Sequence, residues 1–266
     1  MRGDLVRLLV DLGNTITMIG LEDSGEILKT WRLDTRSLGT EDQLFANLSM
    51  LFFASDLDIS KVKRVCLASV VPALTAVFEY YCTRYVGSEL VRVTADDRMG
   101  IKWDVDYPAE IGADRIANVF GALGNYGENA IVVDFGTAIT VDVFLDGAFK
   151  GGAILPGLET SMKALYQKTA RLPQIALSIF PGAVGKNTEQ NIRIGIVNGT
   201  VYALNGIIEK AFEQYRTKPV VITTGGTAKR VHDHMKFVDY CDPLLTLKGV
   251  LEFALRNERL EENTTC

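Results

Sequence analysis

An internal repeat is the feature of this sequence that most constrains its fold. The segment LLVDLGNTITMIGLED, which begins at Leu8, resembles IVVDFGTAITVDVFLD, which begins at Ile131. An offset of 123 residues aligns Asp11 with Asp134, Gly13 with Gly136, Ile16 with Ile139, and Thr17 with Thr140. Two copies at a domain-sized spacing predict a duplicated, two-lobed α/β protein. The alternative is a chance likeness between two buried hairpins.

Hydrophobic patterning predicts strands and helices in both halves. Continuous apolar runs favour buried strands at 8–10, 62–69, 131–133 and 219–224, with return strands at 18–22 and 141–145. Helical spacing predicts helices at 41–53, 74–85, 109–123, 158–167, 191–215 and 249–256. The apolar face of helix 191–215 fits either a buried core or a second subunit. An approximate domain boundary divides the chain into 1–112 and 113–266.

Composition narrows the possible chemistry. The chain has 28 Lys and Arg against 33 Asp and Glu, a net charge of -5, and no basic stripe, which argues against nucleic acid as a partner. His232 and His234 are its only histidines, which argues strongly against a dispersed histidine triad or a multi-histidine metal site. The pair fits either half a metal site or a solvated helix face. Catalysis must therefore use carboxylates and lysines.

The cysteines and the apolar segments predict a cytoplasmic, soluble protein without a membrane partner. Cys66, Cys82, Cys241 and Cys266 lack C-x-x-C spacing, and we expect free thiols, with Cys66 and Cys82 in packing roles. The first apolar run is interrupted by charged residues and is too short for a signal sequence. No apolar stretch reaches the length of about 18 residues that a membrane span requires.

The two Asp-x-Gly turns combine groups that suit a phosphate and its cation. Backbone N–H groups and hydroxyls can bind phosphate oxygens, while the carboxylate faces a metal ion or its waters. Two facing copies would bracket a nucleotide. The sequence has neither a P-loop nor a strand-linked G-x-G-x-x-G motif. The later Gly225-Gly226 turn fits either a simple turn or backbone contact with adenine or ribose.

Six segments together resemble the type III pantothenate kinases, which belong to the superfamily of actin, hexokinase and acetate kinase. They are DLGNTITMIG at 11–20, PAEIGADRIANVFGA at 108–122, VVDFGTAITVD at 132–142, GGAILPGLETSMKALYQKTARLP at 151–173, VGKNTEQNIRIGIVNG at 184–199 and TTGG at 223–226. The GADR and GGxIxPG segments are the most specific. The resemblance implies a two-lobed actin-like (ribonuclease H-like) fold with the nucleotide between the lobes. It also implies a homodimer that phosphorylates pantothenate with ATP to 4'-phosphopantothenate, the first step of coenzyme A biosynthesis.

The resemblance also implies residue roles. ATP-binding positions are Asp11, Leu12, Gly13, Asn14, Thr15, Ile16, Thr17, Met18, Gly136, Thr137, Gly225 and Gly226. Pantothenate-binding positions are Gly112, Ala113, Asp114, Arg115 and Thr188, with Thr188 near the dimer interface and available to the neighbouring chain's site. Asp114 matches the catalytic base. Asp11 lies near the Mg²⁺ of ATP, and Asp134 matches the site of a monovalent cation, K⁺ or NH4⁺.

Elementary chemistry agrees with these roles and leaves one alternative. Arg115 can bind oxygen acceptors of pantothenate, and Asp114 can accept a hydrogen bond from the attacking hydroxyl. An ordinary Asp has a pKa of about 3.9, so Asp114 would take the proton late in a loose phosphoryl transfer. The alternative is that Asp114 and Arg115 form a surface pair in a helix's first turn.

Two positions depart from the family pattern. Ile139 stands where family members often have Thr. Val105 stands where they often have an aromatic residue that lines the pantothenate pocket, and the nearby Trp103 and Tyr107 are candidates to replace that aromatic ring. Two other functions fit parts of the sequence. One is a non-catalytic, nucleotide-responsive regulator of gene expression, which would not need Asp114. The other is a kinase for a different hydroxy acid or sugar, a class that is generally larger and lacks GADR.

Overall fold

The computed structural model describes residues 5–168, 173 and 175–264. Its strands are β1 (Val6–Leu12), β2 (Ile16–Asp23), β3 (Glu26–Asp34), β4 (Val62–Ser69), β5 (Leu90–Arg92), β6 (Lys102–Trp103), β7 (Ala130–Phe135), β8 (Ala138–Leu145), β9 (Ala148–Pro156), β10 (Val220–Thr224) and β11 (Tyr240–Cys241). Its α-helices are α1 (Glu41–Ala54), α2 (Pro72–Tyr81), α3 (Ala113–Tyr126), α4 (Leu158–Lys168), α5 (Thr188–Arg193), α6 (Gly199–Tyr215) and α7 (Leu245–Thr264). Residues 169–172 of the GGxIxPG segment and Cys266 lie outside the described residues.

The chain forms two compact units. Unit 1 comprises Met1–Gly100, Tyr107–Gly124 and Thr246–Cys266, and unit 2 comprises Ile101–Asp106 and Asn125–Leu245. This grouping differs from the two continuous segments, 1–112 and 113–266, that the sequence suggests. The difference arises because most of α3 and α7 belongs to unit 1.

The sheets of the two units repeat one topology. The sheet of unit 1 has the order β3-β2-β1-β4-β5, in which β2 is antiparallel to β1 and β3, while β1, β4 and β5 are parallel. Unit 2 has the order β9-β8-β7-β10-β11 with the same directions, and it adds β6 beside β9. The prediction of a duplicated α/β protein is therefore confirmed.

The two repeats differ by one residue in the turn of the first hairpin. Leu12 pairs with Thr17 in unit 1, whereas Phe135 pairs with Ile139 in unit 2. The offset of 123 thus holds for the first strands and becomes 122 for the second strands. The alignment of Thr17 with Thr140 is wrong in three dimensions, because Thr17 occupies the buried position that Ile139 occupies in unit 2.

Helix boundaries differ from the predictions where a local signal is ambiguous. Helix α3 begins at Ala113, four residues later than predicted, because Pro108–Glu110 forms a separate 3-10 turn. Helix α5 begins at Thr188, where the Asn187 side chain accepts a hydrogen bond from the Gln190 N–H and caps the helix.

The long apolar helix predicted at 191–215 packs on the core of its own unit. Helix α5 continues through a π-helical turn at Ile194–Asn198 into α6. The core of unit 2 contains, from this segment, Ile192, Ile196, Val197, Val201, Leu204 and Ile208, with Ile207 and Phe212 packed against it. The core interpretation of these side chains is therefore confirmed.

The cysteines described are free thiols. Cys66 and Cys82 are fully buried, and Cys241 is partly buried. Burial raises the pKa of both the Cys66 and the Cys82 thiol to about 12, so neither is a reactive thiolate at neutral pH. Of the helices that the structure describes, none combines the length and hydropathy of a membrane-spanning segment.

Candidate active site

The first Asp-x-Gly turn is a tight loop that closes on its own backbone. The Gly13 N–H donates to the Ile16 carbonyl at 3.2 Å, and a Cβ at Gly13 would lie 2.9 Å from that oxygen. The Thr35 hydroxyl donates to the Gly13 carbonyl at 2.8 Å and lies 2.9 Å from the Thr17 hydroxyl. The buried Thr17 therefore supports the loop through the Thr35 hydroxyl.

Exposure divides the predicted ATP-binding positions of unit 1. Asn14, Thr15 and Ile16 are exposed at the tip of the loop. Leu12 is buried in the core, so only its backbone is available to a ligand. Asp11, Gly13 and Met18 are partly buried. The loop tip and its backbone are therefore the parts that a phosphate can reach.

The GADR segment lies beside this loop in unit 1. The Val70 N–H donates to the Leu12 carbonyl at 3.2 Å, and a Cβ at Gly112 would lie 3.6 Å from Val70 Cγ1. The same Cβ would lie 2.5 Å from Asp114 Oδ1, so glycine leaves room for the carboxylate. Val70 thus contacts both motifs, the first loop through its backbone and Gly112 through its side chain.

Asp114 lies in the first turn of α3, where an acidic side chain is favoured. Its Oδ1 accepts a hydrogen bond of 2.8 Å from the Arg115 N–H. Burial raises the pKa of Asp114, an effect partly offset by the Arg115 N–H and the Arg115 charge. The carboxylate is therefore more basic than a solvated one, as a proton acceptor requires. The side chains of Asp114 and Arg115 are both partly buried.

The second Asp-x-Gly turn, in unit 2, is held by the GGxIxPG segment. The Thr137 carbonyl accepts hydrogen bonds from the Gly157 N–H at 3.1 Å and from the Thr160 hydroxyl at 2.7 Å. A Cβ at Gly157 would lie 2.4 Å from the Gly136 carbonyl oxygen, so only glycine permits this approach. Gly136 and Thr137 remain exposed. No local sequence pattern marks Gly157 or Thr160 as supports of this loop, because their contacts depend on how β9 pairs with β8.

The predicted glycine turn after β10 lies against Asp134. Gly225 has a φ of +91°, and a Cβ there would lie 2.4 Å from Asp134 Oδ1 and 2.6 Å from the Phe135 nitrogen. Thr224, directly before it, pairs with Asp134 in the parallel register of β10 and β7. Gly226 is exposed. The turn therefore supports the end of β7 in addition to any ligand contact.

Replacing Gly225 by alanine tests this close approach. We expect kcat/KM to fall by about tenfold or more, a loss of about 1.4 kcal/mol of transition-state stabilisation, because the new methyl group must displace Asp134 or the backbone of β7. Gly147→Ala is the matched control, since Gly147 also has a positive φ but has no atom within 4 Å of its Cβ position. Equal kinetics for the two variants would show that backbone strain alone matters.

Thr188 is the exposed first residue of α5 and belongs to unit 2, whereas Gly112–Arg115 belongs to unit 1. It lines an open groove of about 520 Å³ together with Leu165, Asn191, Ile192, Gly195 and Ile196. The contribution of Thr188 to a neighbouring chain's site stays a prediction.

The candidate aromatic wall separates into one buried and one exposed ring. Trp103 is buried and packs against Phe149 with ring centroids 5.8 Å apart, so it is a core residue of unit 2. Tyr107 is exposed. Val105 Cγ1 would lie 3.5 Å from a Cβ at Gly151.

His232 and His234 lie in a short 3-10 turn, and no group of three His, Cys, Asp or Glu able to hold a metal occurs among the described residues.

Comparison with known proteins agrees with these motifs. The family model for type III pantothenate kinases matches residues 7–210. A type III pantothenate kinase from Kosmotoga olearia is 50% identical over 259 residues, which cover 97% of this chain and 99% of the relative. One from Thermosipho melanesiensis is 42% identical over 249 residues, which cover 93% of this chain and 98% of the relative.

Solved structures support the fold. A Campylobacter jejuni protein described as a Baf family transcriptional activator superposes with a TM-score of 0.59 at 18% identity, covering 95% of this chain and 99% of its own. At that identity the likeness shows the fold alone and does not favour a regulator. The two duplicated α/β units form an actin-like architecture. Since the family model covers more than half of the sequence and full-length relatives share up to 50% identity, the chain belongs to the type III pantothenate kinase family.

Proposed function

We propose a role for each motif of this chain in its reaction, the ATP-dependent phosphorylation of pantothenate in coenzyme A biosynthesis. The observation that carries the proposal is the partly buried carboxylate of Asp114, which lies beside the first glycine loop and whose pKa is raised by burial. The enzyme is a phosphotransferase whose acceptor is an alcohol group. Its remaining roles follow from the chemistry of each motif.

The first loop is proposed to hold ATP phosphates. Its exposed tip, Asn14–Ile16, offers backbone N–H groups, a carboxamide and a hydroxyl, which are hydrogen-bond donors suited to phosphate oxygens. Asp11 lies at the end of β1 with a hard carboxylate, the ligand type that Mg²⁺ prefers. Mg²⁺ bound with ATP would neutralise phosphate charge. Gly136 and Thr137 of the second loop are exposed and are likewise proposed to bind phosphate oxygens.

Asp114 is proposed to orient the primary hydroxyl of pantothenate and to accept its proton. The hydroxyl oxygen forms a bond to the γ-phosphorus while the bond from that phosphorus to the β–γ bridging oxygen breaks, and ADP leaves. Because the transition state is loose, the proton passes to Asp114 late. Arg115, next along the helix, supplies a cation for oxygen acceptors of the substrate.

Asp134 is proposed to bind a monovalent cation, K⁺ or NH4⁺. The residues fit such an ion, because Asp134 lies at the end of β7 with a buried threonine hydroxyl on the paired residue of β10. Hard oxygen donors of this kind replace the hydration shell of K⁺. Gly225 and Gly226 are proposed to approach adenosine through their backbone.

The proposal extends to assembly and location. We assign a homodimer in the cytoplasm, in which Thr188 of one chain reaches the pantothenate site of its partner. The exposed position of Thr188 on an open groove supports such a contribution. A protein that is monomeric in solution yet fully active would contradict the shared site.

Cation dependence of turnover tests the proposal. We expect ADP release that requires pantothenate, measured in a coupled assay, to be fast in potassium buffer and slow in sodium buffer of equal ionic strength. The reason is that a site at Asp134 that holds K⁺ would not hold the smaller Na⁺ equally well. Equal rates in both buffers would remove the cation from the account.

A further inference from the structure

A buried hydroxyl on the residue paired with Asp134 has no hydrogen-bond partner among the described residues. Thr224 is fully buried at the end of β10, and its Oγ1 makes no hydrogen bond within the part of the chain that the structure describes. A buried hydroxyl without a partner destabilises a folded protein, because it loses hydrogen bonds to water on burial. A bound ion or ligand at this position would supply the missing partner.

The register of the sheet places this hydroxyl on the same face as the Asp134 carboxylate. Thr224 and Asp134 are paired residues of the parallel strands β10 and β7, and paired residues project to the same side of a sheet. Independently, Asp134 Oδ1 lies where a Cβ of Gly225 would be, 2.4 Å from that position. Two observations thus bring the carboxylate to the end of β10.

The neighbouring threonines differ from Thr224 in having partners. On the opposite side of Asp134, Thr140 is its antiparallel partner, and the Thr140 hydroxyl donates to Asp142 Oδ2 at 3.0 Å. Thr223, one residue before Thr224 and also fully buried, donates to the Tyr240 carbonyl at 3.3 Å. The structure therefore explains the hydroxyls of Thr140 and Thr223 by contacts within unit 2.

We infer that the Thr224 hydroxyl is a further oxygen ligand of the monovalent cation that we propose at Asp134. The inference rests on that proposed cation site. A cation is favoured over a phosphate group because the adjacent carboxylate attracts the former and repels the latter. The neutral hydroxyl adds a hard oxygen without adding charge, as suits an ion of charge +1.

The test compares two adjacent threonines by thermal unfolding of the full-length protein. Melting temperatures are measured with KCl or with tetramethylammonium chloride at equal concentration, with and without a non-hydrolysable ATP analogue. For Thr224→Val we expect a melting temperature without K⁺ equal to or above that of the wild type, and loss of the K⁺-induced increase. Thr223→Val is the control, which should melt lower than the wild type and keep its K⁺ response, because it loses the bond to Tyr240.

A second measurement and a conservative variant separate ligand binding from packing. In turnover, Thr224→Val should raise the K⁺ concentration needed for half-maximal activation by tenfold or more, and Thr224→Ser should restore it to near the wild-type value. A Thr224→Val protein that keeps the K⁺-induced increase, or that melts lower as Thr223→Val does, overturns the inference. Weaker binding of the ATP analogue with an unchanged K⁺ response would assign the hydroxyl to the nucleotide instead and overturn it equally.

Asp134→Asn distinguishes failure of this inference from failure of the proposed cation site. If Asp134→Asn loses the K⁺ response while Thr224→Val keeps it, only the role of Thr224 is wrong. If Asp134→Asn keeps the response, or if the wild type shows none under either condition, the cation site at Asp134 is wrong and the inference fails with it.

Discussion

Asp114→Asn lowers kcat by about 10²- to 10⁴-fold, the usual contribution of a general acid or base. Asparagine keeps an oxygen that can accept the Arg115 N–H but cannot take a proton from the substrate hydroxyl. We expect little change in KM for ATP, because the phosphate-binding positions of the first loop remain intact. Steady-state kinetics with each substrate varied in turn measures both effects.

Asp114→Asn should also be at least as stable as the wild type, which is not expected if the carboxylate only stabilises the fold. Because burial raises the pKa of Asp114, ionisation of this group costs stability as pH rises from the ordinary value of about 3.9 to the folded value. Above this pH range the wild type is destabilised by the ionised Asp114, whereas Asp114→Asn has no group to ionise at this position. The variant should therefore melt at or above the wild-type temperature at neutral pH.

A pH profile and a neighbouring carboxylate complete this test. Since only the ionised form accepts a proton, wild-type kcat/KM should fall as pH falls through a value above about 3.9. Glu110→Gln is the control, because Glu110 is exposed, lies four residues earlier, and should have wild-type kinetics. Appreciable turnover by Asp114→Asn would remove Asp114 from the role of base.

Arg7→Met destabilises the protein by about 3–5 kcal/mol, the usual cost of breaking a buried ion pair. Arg7 Nη1 lies 2.7 Å from Glu22 Oε2, and Glu22 is fully buried. Arg7 also binds Glu258 of α7 through Nε at 2.9 Å and Nη2 at 2.6 Å. Burial alone would lower the pKa of Arg7, but Glu258 and Glu22 together hold it above its ordinary value.

The large cost arises because the Arg7→Met change leaves the Glu22 carboxylate buried without its cation. Glu22 would keep only the hydrogen bond of 2.6 Å that its Oε1 accepts from the Gly25 N–H. Denaturant unfolding measures the effect, and Arg7→Met/Glu22→Gln should recover much of the loss because the buried charge is then removed. Arg98→Met is the control, since its partner Asp96 forms an exposed ion pair with it and the change should be small. A double variant as unstable as Arg7→Met would contradict the electrostatic explanation.

Local patterns predicted the strands and the motif positions well. The apolar run followed by Asp-x-Gly identified β1 and β7, and strand β4 was predicted with its exact bounds, because apolar runs ended by turn residues are local signals. The duplicated sheet order follows from the same repeat.

Features that depend on contacts distant in sequence were not predictable. The last helix was predicted to end at residue 256, yet α7 continues to Thr264. Its Glu258 binds Arg7, 251 residues away, and no local pattern shows such a pair. Likewise, Trp103 was a candidate for the wall of the pantothenate pocket, but it packs against Phe149 in the core. This packing could not be predicted, because it depends on the pairing of β6 with β9.

The site could be predicted as a set of motifs but not as a set of supporting contacts. Asp114 and Asp134 follow from the family resemblance. The positions of Gly157 under the second loop and of Thr224 beside Asp134 depend on strand register. A one-residue difference between the two hairpin turns was hidden because the two sequences have equal length there.

Identification of the phosphorylated product tests the central claim most directly. Purified protein is incubated with ATP, Mg²⁺, K⁺ and pantothenate, and the products are quantified by mass spectrometry and ³¹P NMR. We expect one 4'-phosphopantothenate for each ADP, with neither formed at a comparable rate when pantothenate is omitted or Asp114 is replaced by asparagine. ADP formation that is independent of pantothenate, or a phosphorylated product other than the 4'-monoester, would contradict it.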